Sequence, residues 1–198
     1  MAETRIARTG AWLRRRTARF YVFAAVLLVW IATFFVSPNP NSKPNPGEYT
    51  PILARADGHY MYLATISMVF DRDIALDNQF EEHGDPFELA DRRTRTGRHW
   101  AFPVGTSILQ APFFAAAHAM AKPASLVADV DTGGYSLFYQ RVTFLGALAA
   151  GFLALVFGYL LARRYASETA ALYAVVIVGL GSNLLFYSAY RGSYAHAW

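Results

Sequence analysis

The residues of this 198-residue chain best suited to chemistry begin with Asp57, in the run Arg55-Ala56-Asp57-Gly58-His59-Tyr60. A carboxylate there can bind a divalent cation or take a proton from a hydroxyl acceptor. It can equally cap the helix predicted to follow, accepting backbone amides for about 1 kcal/mol, and spacing alone favours the cap. Near the other end, His196 lies in Arg191-Gly192-Ser193-Tyr194-Ala195-His196. A lone histidine at a helix exit is more often structural. Sharing one side of a membrane with Asp57 gives it an equal claim to a catalytic or phosphate-binding role.

Three other groups of polar residues carry weaker signals. The acidic run Asp71, Asp73, Asp77, Glu81 and Glu82 resembles a calcium loop, but Ala75 and Leu76 stand where a ligand and a glycine are needed, so it reads as a solvated loop. Arg92, Arg93, Arg95, Arg98 and His99 lead into Trp100-Ala101-Phe102-Pro103, a cluster suited to phosphate groups of a lipid-linked ligand or to anionic head groups. His118 has no second ligand at metal-binding spacing and reads as a packed or interfacial side chain. With no cysteine there is no disulfide, thiolate site or cysteine nucleophile.

The elements that position these residues are membrane spans. The chain is 55% hydrophobic and only 16% charged, with a mean hydropathy of +0.22, and the apolar residues come in blocks. The net charge of +4 does not point to nucleic acid. Arg5, Arg8, Arg14, Arg15, Arg16 and Arg19 precede one apolar run, and Arg163 and Arg164 separate two others, which is a topology signal.

Phe20 to Val36 has no charge and no proline, and runs into Ser37-Pro38-Asn39-Pro40 without a cleavage site. It reads as a retained anchor, with the basic tail 1–19 in the cytoplasm. The proline-rich stretch from Ser37 to Gly47 is a stiff linker. An amphipathic helix is expected over 56–70, from the spacing of Tyr60, Leu63, Ile66 and Phe70. Pro103 to Ala121 is long enough to span but holds Gln110, Pro112 and His118, so an interfacial helix is the alternative.

Val142 to Ala162 is a span with small residues at four-residue spacing, and Thr169 to Tyr190 is another with an aromatic exit. If 103–121 crossed the membrane, Arg163-Arg164 would lie in a short external loop, against the positive-inside bias. The expectation is therefore an all-α polytopic protein with three transmembrane helices (20–36, 142–162 and 169–190). A large extracytoplasmic loop covers 37–141 and a cytoplasmic turn 163–168, and a second outer loop opens at 191–198.

The order of these features resembles the GT-C class of membrane glycosyltransferases, which includes protein O-mannosyltransferases (glycosyltransferase family 39) and aminoarabinose transferases. Asp57-Gly58-His59-Tyr60 is similar to the acidic motif after their first span. Gly97-Arg98 with Phe102-Pro103-Val104-Gly105 and Ala111-Pro112-Phe113-Phe114 is similar to the passage into their interfacial helix. Leu160-Leu161-Ala162-Arg163-Arg164, then Gly181-Ser182-Asn183-Leu184-Leu185-Phe186-Tyr187, then Ser193-Tyr194-Ala195-His196-Ala197 follow in the same order.

The resemblance implies transfer of a hexose or pentose from a polyprenyl-phosphate donor to a polysaccharide, lipid or protein acceptor, at the outer face of a bacterial inner membrane. It implies Asp57 and His196 as catalytic residues. Arg55, Tyr60, Arg98, Arg191 and Tyr194 would bind substrate, with Arg98 or Arg191 near the phosphate. A divalent cation (magnesium or manganese) is the cofactor left open, with Asp57 its one candidate ligand. The chain departs from the class where Gly58 replaces a common glutamate, and it ends where members continue, so a truncated sequence is expected. A non-catalytic membrane protein of envelope polysaccharide assembly is the rival reading. A transporter fragment ranks below it, because the spans are nearly free of charge.

Overall fold

A computed structural model describes residues 2–36, 53–54, 57–90, 102–127 and 132–198, with side chains from Thr17 onward apart from those of Lys122, Ala124 and Ala197. The proline-rich linker, the arginine side chains of the tail before Thr17, Arg55, and the basic cluster with Arg98 lie outside the described residues.

All regular structure among the described residues is helical. Helix α1 (Ala2–Val36) contains the first apolar run, α2 spans Asp57–Phe70, α3 Asp77–His83, α4 Val104–Ser125, α5 Leu137–Ala162 and α6 Glu168–Gly181. A short α7 (Asn183–Leu185) passes directly into a π-helical turn, Phe186–Tyr190. Within these, Thr17–Val36 and Leu137–Ala162 are long and apolar enough to cross a membrane, and α6 with Asn183–Tyr190 makes a third if the bent pair is one span. α4 is not among them. Only 17% of the α1 window and 39% of the α5 window are buried inside the protein. Leu28, Phe157 and Ile177 are each more than 60% exposed. So much contiguous apolar surface suits a lipid surround, in keeping with an integral membrane protein.

Side-chain contacts at the helix ends fix the relative directions of α1, α5 and α6. At one end Arg19 pairs with Glu168 at 2.7 Å, and Arg163 reaches the same carboxylate at 3.4 Å. At the other, the Arg141 guanidinium donates to the carbonyls of Phe34 and Phe35 at 3.0 and 3.3 Å, occupying acceptors that the end of α1 leaves free. α1 and α5 are thus antiparallel, and α6 runs with α1. Between the ends, Val26 and Trp30 are buried, and Phe23 meets Phe152 and Tyr159 edge-on.

The third apolar run is not one straight helix. Ser167 caps α6 through Ala170 N, but the helix stops at Gly181 and the chain bends by 55°. Ser182 holds the break, its hydroxyl donating to Val178 O at 2.6 Å and accepting from Leu184 N at 3.2 Å. Trp30 Nε1 donates to Gly179 O at 2.6 Å. Glycine and serine together are a recognised cause of sharp kinks, and the Gly179, Gly181 and Ser182 triplet carries that signal.

α2, α4 and the first half of α5 form a second packed unit. α2 and α4 run side by side in the same direction: Ser107 Oγ donates to Met61 O at 2.8 Å, and Phe70 touches Phe114 and His118. Tyr62, Phe114, Tyr139 and Phe144 are almost fully buried between them. The expected amphipathic α2 is instead buried nearly all round, from Gly58 to Ser67. Gly58, Met61 and Thr65, on the side that a lone interfacial helix would expose to water, meet Ser193, Ser107 and Gln110, while Phe80, Phe87 and Phe102 pack on Tyr60 of the apolar stripe. Asp77, Glu81 and Glu82 of the acidic run lie in helix α3 rather than in a plain loop, while Asp71 and Asp73 precede it. Asp71 accepts from Asn78 and Gln79 at 3.1 and 2.7 Å, and Asp73 accepts from Ser67 at 2.7 Å. Gly84 ends α3 at φ 81, its N–H donating to Phe80 O, a conformation glycine takes without strain.

Candidate functional site

The start of α2 is placed by Gln140. Its Oε1 accepts from Leu53 N and Ala54 N at 2.8 and 2.9 Å, and its Nε2 donates to Tyr135 O at 2.8 Å. This side chain is fully buried at the head of α5. It satisfies two backbone donors a few residues ahead of Asp57, so the entry to α2 is tied to α5 rather than left as a free loop.

From there the chain brings α2 against the tail after the third apolar run. Gly58 abuts Ser193 so closely that a Cβ added at Gly58 would overlap the serine hydroxyl and lie 3.2 Å from its carbonyl carbon. Gln110, buried on α4, links the same parts. Its Oε1 lies 3.0 Å from the Thr65 hydroxyl, and its Nε2 donates to Ser193 O at 3.3 Å. The tail is also seated on α5: Gly192 faces Phe144 and Ala147, and Trp198 packs against Phe113 and Gly146. Trp198 Nε1 closes the turn by donating to Gly192 O at 3.0 Å.

Three groups at this junction have no hydrogen-bond or ion-pair partner among the described residues. Asp57, partly exposed in the first turn of α2, caps no backbone amide there, so it does not act as the N-cap that spacing favoured. Its charge lies where the helix N-terminus favours an anion. Arg191 Nη1 is buried without a hydrogen bond, while its guanidinium lies over the Tyr190 ring at 5.1 Å. Ser193 Oγ is buried and equally unpaired. Buried donors are almost always paired in folded proteins. A guanidinium nitrogen and a hydroxyl left open two residues apart suit an anionic oxygen.

The remaining site candidates lie close by in different states. His196 is exposed and rests on Tyr187, 4.4 Å between ring centroids. Tyr194 touches the same ring at 5.9 Å. No hydrogen bond or ion pair joins His196 to Asp57 among the described residues, although both belong to segments meeting at the Gly58–Ser193 contact. Tyr60 is buried, and its hydroxyl is committed: it donates to Asp85 at 2.7 Å and accepts from Phe87 N at 2.7 Å. Burial and the Asp85 carboxylate push that phenol well above its usual range. His118 donates to or accepts from Tyr139 Oη at 2.7 Å, and Phe70 packs on its ring.

His59 forms a separate buried cluster behind Tyr60. Its Nε2 lies 3.0 Å from Gly84 O and its Nδ1 2.7 Å from Tyr135 Oη. The carbonyl can only accept, so Nε2 carries the proton and Nδ1 accepts from the phenol. Burial lowers its pKa from 6.5 to about 4, which keeps it neutral.

Among the described residues no three His, Cys, Asp or Glu side chains are placed to hold a metal ion. Position 58, where a second carboxylate would adjoin Asp57, admits a side chain only if Ser193 is displaced. The described donors therefore do not make a cation cage around Asp57. The chemistry they can do is proton acceptance by one carboxylate, on a segment that meets the guanidinium- and hydroxyl-bearing segment at Gly58 and Ser193.

Comparisons by sequence and by structure match the chain to no protein family, no curated protein and no solved structure. Sequence reasoning singled out Asp57 and Arg191 but missed the residues that bring their segments together: Ser193, Gln110 and Gln140. A glutamine inside or at the edge of an apolar run is itself a signal, because polar groups there are expensive without a purpose.

Proposed function

We propose that this chain is the N-terminal part of a GT-C-type membrane glycosyltransferase. It moves a sugar from a polyprenyl-phosphate donor to an envelope acceptor on the outer face of a bacterial plasma membrane. The N-terminus is cytoplasmic in this reading. α1, α5 and the bent α6–α7 pair are its three spans, and residues 37–141 face outward together with the tail from Arg191.

The observation that supports this most is the Gly58–Ser193 contact. It brings the segment of Asp57 against the segment of Arg191 and Ser193, and none of these three polar groups has a hydrogen-bond or ion-pair partner among the described residues. The level of the site also favours a lipid-borne substrate. Gly146 and Ala147, which seat the tail, lie nine and ten residues into α5 from Leu137, about 14 Å along its axis. The neighbouring α4 exposes Ile108, Leu109 and Phe113, a surface for apolar chains.

Asp57 accepts the proton of the acceptor hydroxyl as its oxygen attacks the anomeric carbon. The bond from that carbon to the phosphate oxygen breaks, and Arg191 with Ser193 balances the charge on the departing phosphate. The test is transfer from polyprenyl-phosphate sugars in membrane vesicles carrying the full-length protein. Asp57→Asn should lower the rate about 100-fold or more, the usual contribution of a general base. Normal transfer by Asp57→Asn removes the catalytic role. Folded, inserted protein without transfer for any donor favours the assembly-subunit reading.

A further inference from the structure

The chain beyond Gly181 is fastened differently from the helices it rests on. Residues 183–198 form an arm that leaves α6 at the 55° bend. The bend is made by Gly181 and Ser182, and a Cβ added at Gly181 would meet nothing. Within the arm, Arg191 N donates to Phe186 O at 2.8 Å across the π-helical turn. Tyr194 N and Trp198 N donate to Arg191 O and Ala195 O at 3.1 and 3.2 Å. The arm thus has bonds of its own, and the two residues at its root are suited to absorb a change of direction.

Where the arm meets the body, its seat is largely glycine. Ser188 lies against Gly151, Trp198 against Gly146 and Ser193 against Gly58, while Gly192 of the arm faces Phe144 and Ala147. A glycine offers close contact but no side chain to bond. Gln110 Nε2 does donate across the boundary to Ser193 O, at 3.3 Å, longer than the usual N–H···O bond.

The polar groups that the seated arm buries are left unanswered. Ser188 Oγ, Arg191 Nη1 and Ser193 Oγ have no hydrogen-bond partner, and Ser188 and Ser193 have no exposed surface. Between α2 and α4, by contrast, Thr65, Ser107 and Gln110 are as deeply buried and all are bonded. Water would pair all three arm groups if the arm lifted. Burial without a partner costs free energy that hydration returns. The seated position is therefore opposed at three points along one short segment, as expected of an element drawn from the least stable part of a fold.

We propose that residues 183–198 are a gate that opens as a unit about Gly181 and Ser182. Opening lifts Ser188 off Gly151 and Ser193 off Gly58, hydrates Arg191, and admits a ligand to the junction with the segment of Asp57. Trp30, bonded to Gly179 O on the other side of the bend, keeps α6 in place while the arm moves. The gate rests on these contacts and is independent of the transfer chemistry.

The absence of cysteine allows a direct test on the full chain in nanodiscs. Ser188→Cys puts a thiol beneath the seated arm, and Ser107→Cys puts one in the α2–α4 contact as a reference for the body. A water-soluble methanethiosulfonate should label position 188 about tenfold faster than position 107, or more. Ser193→Ala in the Ser188→Cys chain removes one unanswered hydroxyl and should slow labelling about tenfold. Gly181→Ala, which fits the space but stiffens the bend, should slow it about threefold. Labelling at 188 no faster than at 107 means that the arm opens only with the body, and overturns the gate. So does labelling that Ser193→Ala leaves unchanged or speeds, because the hydroxyl is then answered in the seated arm. Labelling that Gly181→Ala leaves unchanged overturns it as well, because the bend is then not the hinge. Hydrogen exchange of the unaltered chain is the second readout, needing no substitution. Amides over 186–194 should exchange ahead of those over 143–155, because a detached stretch this short frays, and equal protection of the two overturns the gate.

Discussion

Replacing Gly58 by alanine tests the junction on which the functional reading depends. The new methyl carbon would lie 2.7 Å from Ser193 Cβ and 3.2 Å from its carbonyl carbon, where carbon pairs prefer about 3.5–4.0 Å. Turning the serine side chain moves Oγ aside but leaves both of these carbons in place, so the backbone at 192–194 must retreat by up to about 1 Å. Overpacking of this kind costs about 1–3 kcal/mol, and alanine recovers about 0.5–1 kcal/mol through its helix preference, leaving a net loss of about 1 kcal/mol. The functional loss should be larger, because separating catalytic groups by about 1 Å can lower a rate 100-fold. The assay pairs the thermal midpoint of the detergent-purified chain with sugar transfer in vesicles, for Gly58→Ala, Ser193→Gly and the double variant. Removing the serine side chain should restore much of the midpoint lost to Gly58→Ala, a coupling between contacting residues. An alanine variant as stable and active as the parent, with no coupling to position 193, would refute the close approach of α2 to the tail.

Other expectations concern the parts that hold this junction. Because His59 falls from 6.5 to about 4 in the folded chain, stability is full above pH 6.5 and is lost as pH falls towards 4. At ~1.4 kcal/mol per pH unit the loss is about 3 kcal/mol, read as a falling thermal midpoint across that window that flattens in His59→Gln. Gln140→Leu strips partners from Leu53 N, Ala54 N and Tyr135 O. It should destabilise by about 2–4 kcal/mol and lower transfer by freeing the entry to α2, a shift visible as faster hydrogen exchange at those amides. Trp30→Phe leaves Gly179 O without its donor and should cost about 1–3 kcal/mol, measured by the same thermal midpoint.

The apolar spans were readable because lipid leaves no room for charge: Phe20 to Val36 and Val142 to Ala162 announce themselves by what they lack. The turn at Arg163-Arg164 was readable for the opposite reason, as charge concentrated between two such runs. What escaped was long-range and depended on shape. Nothing near Gly58 in sequence points to Ser193, since a glycine opening a helix looks merely permissive until its neighbour in space is known. The bend at Ser182 was misread as continuous helix because hydropathy averages over a break that two glycines and a serine create. α2 looked amphipathic because periodicity registers which residues are apolar, not whether Ser107, Gln110 and Ser193 will cover the other face.

The contacts that fasten α1 also set an order of events during synthesis. Its two outermost carbonyl partners are supplied by Arg141, 107 and 106 residues later, and its buried indole is answered by Gly179, 149 residues later. At about 5–20 residues per second of translation, α1 must wait roughly 7–30 s in the membrane before the helices that clamp it exist. During that interval its exposed aromatic and branched surface has only lipid, or an insertion factor, to face. The first helix made is therefore secured late, and a chain stalled before α6 would hold its first helix through α5 alone, by Arg141 at one end and by Phe152 and Tyr159 on Phe23.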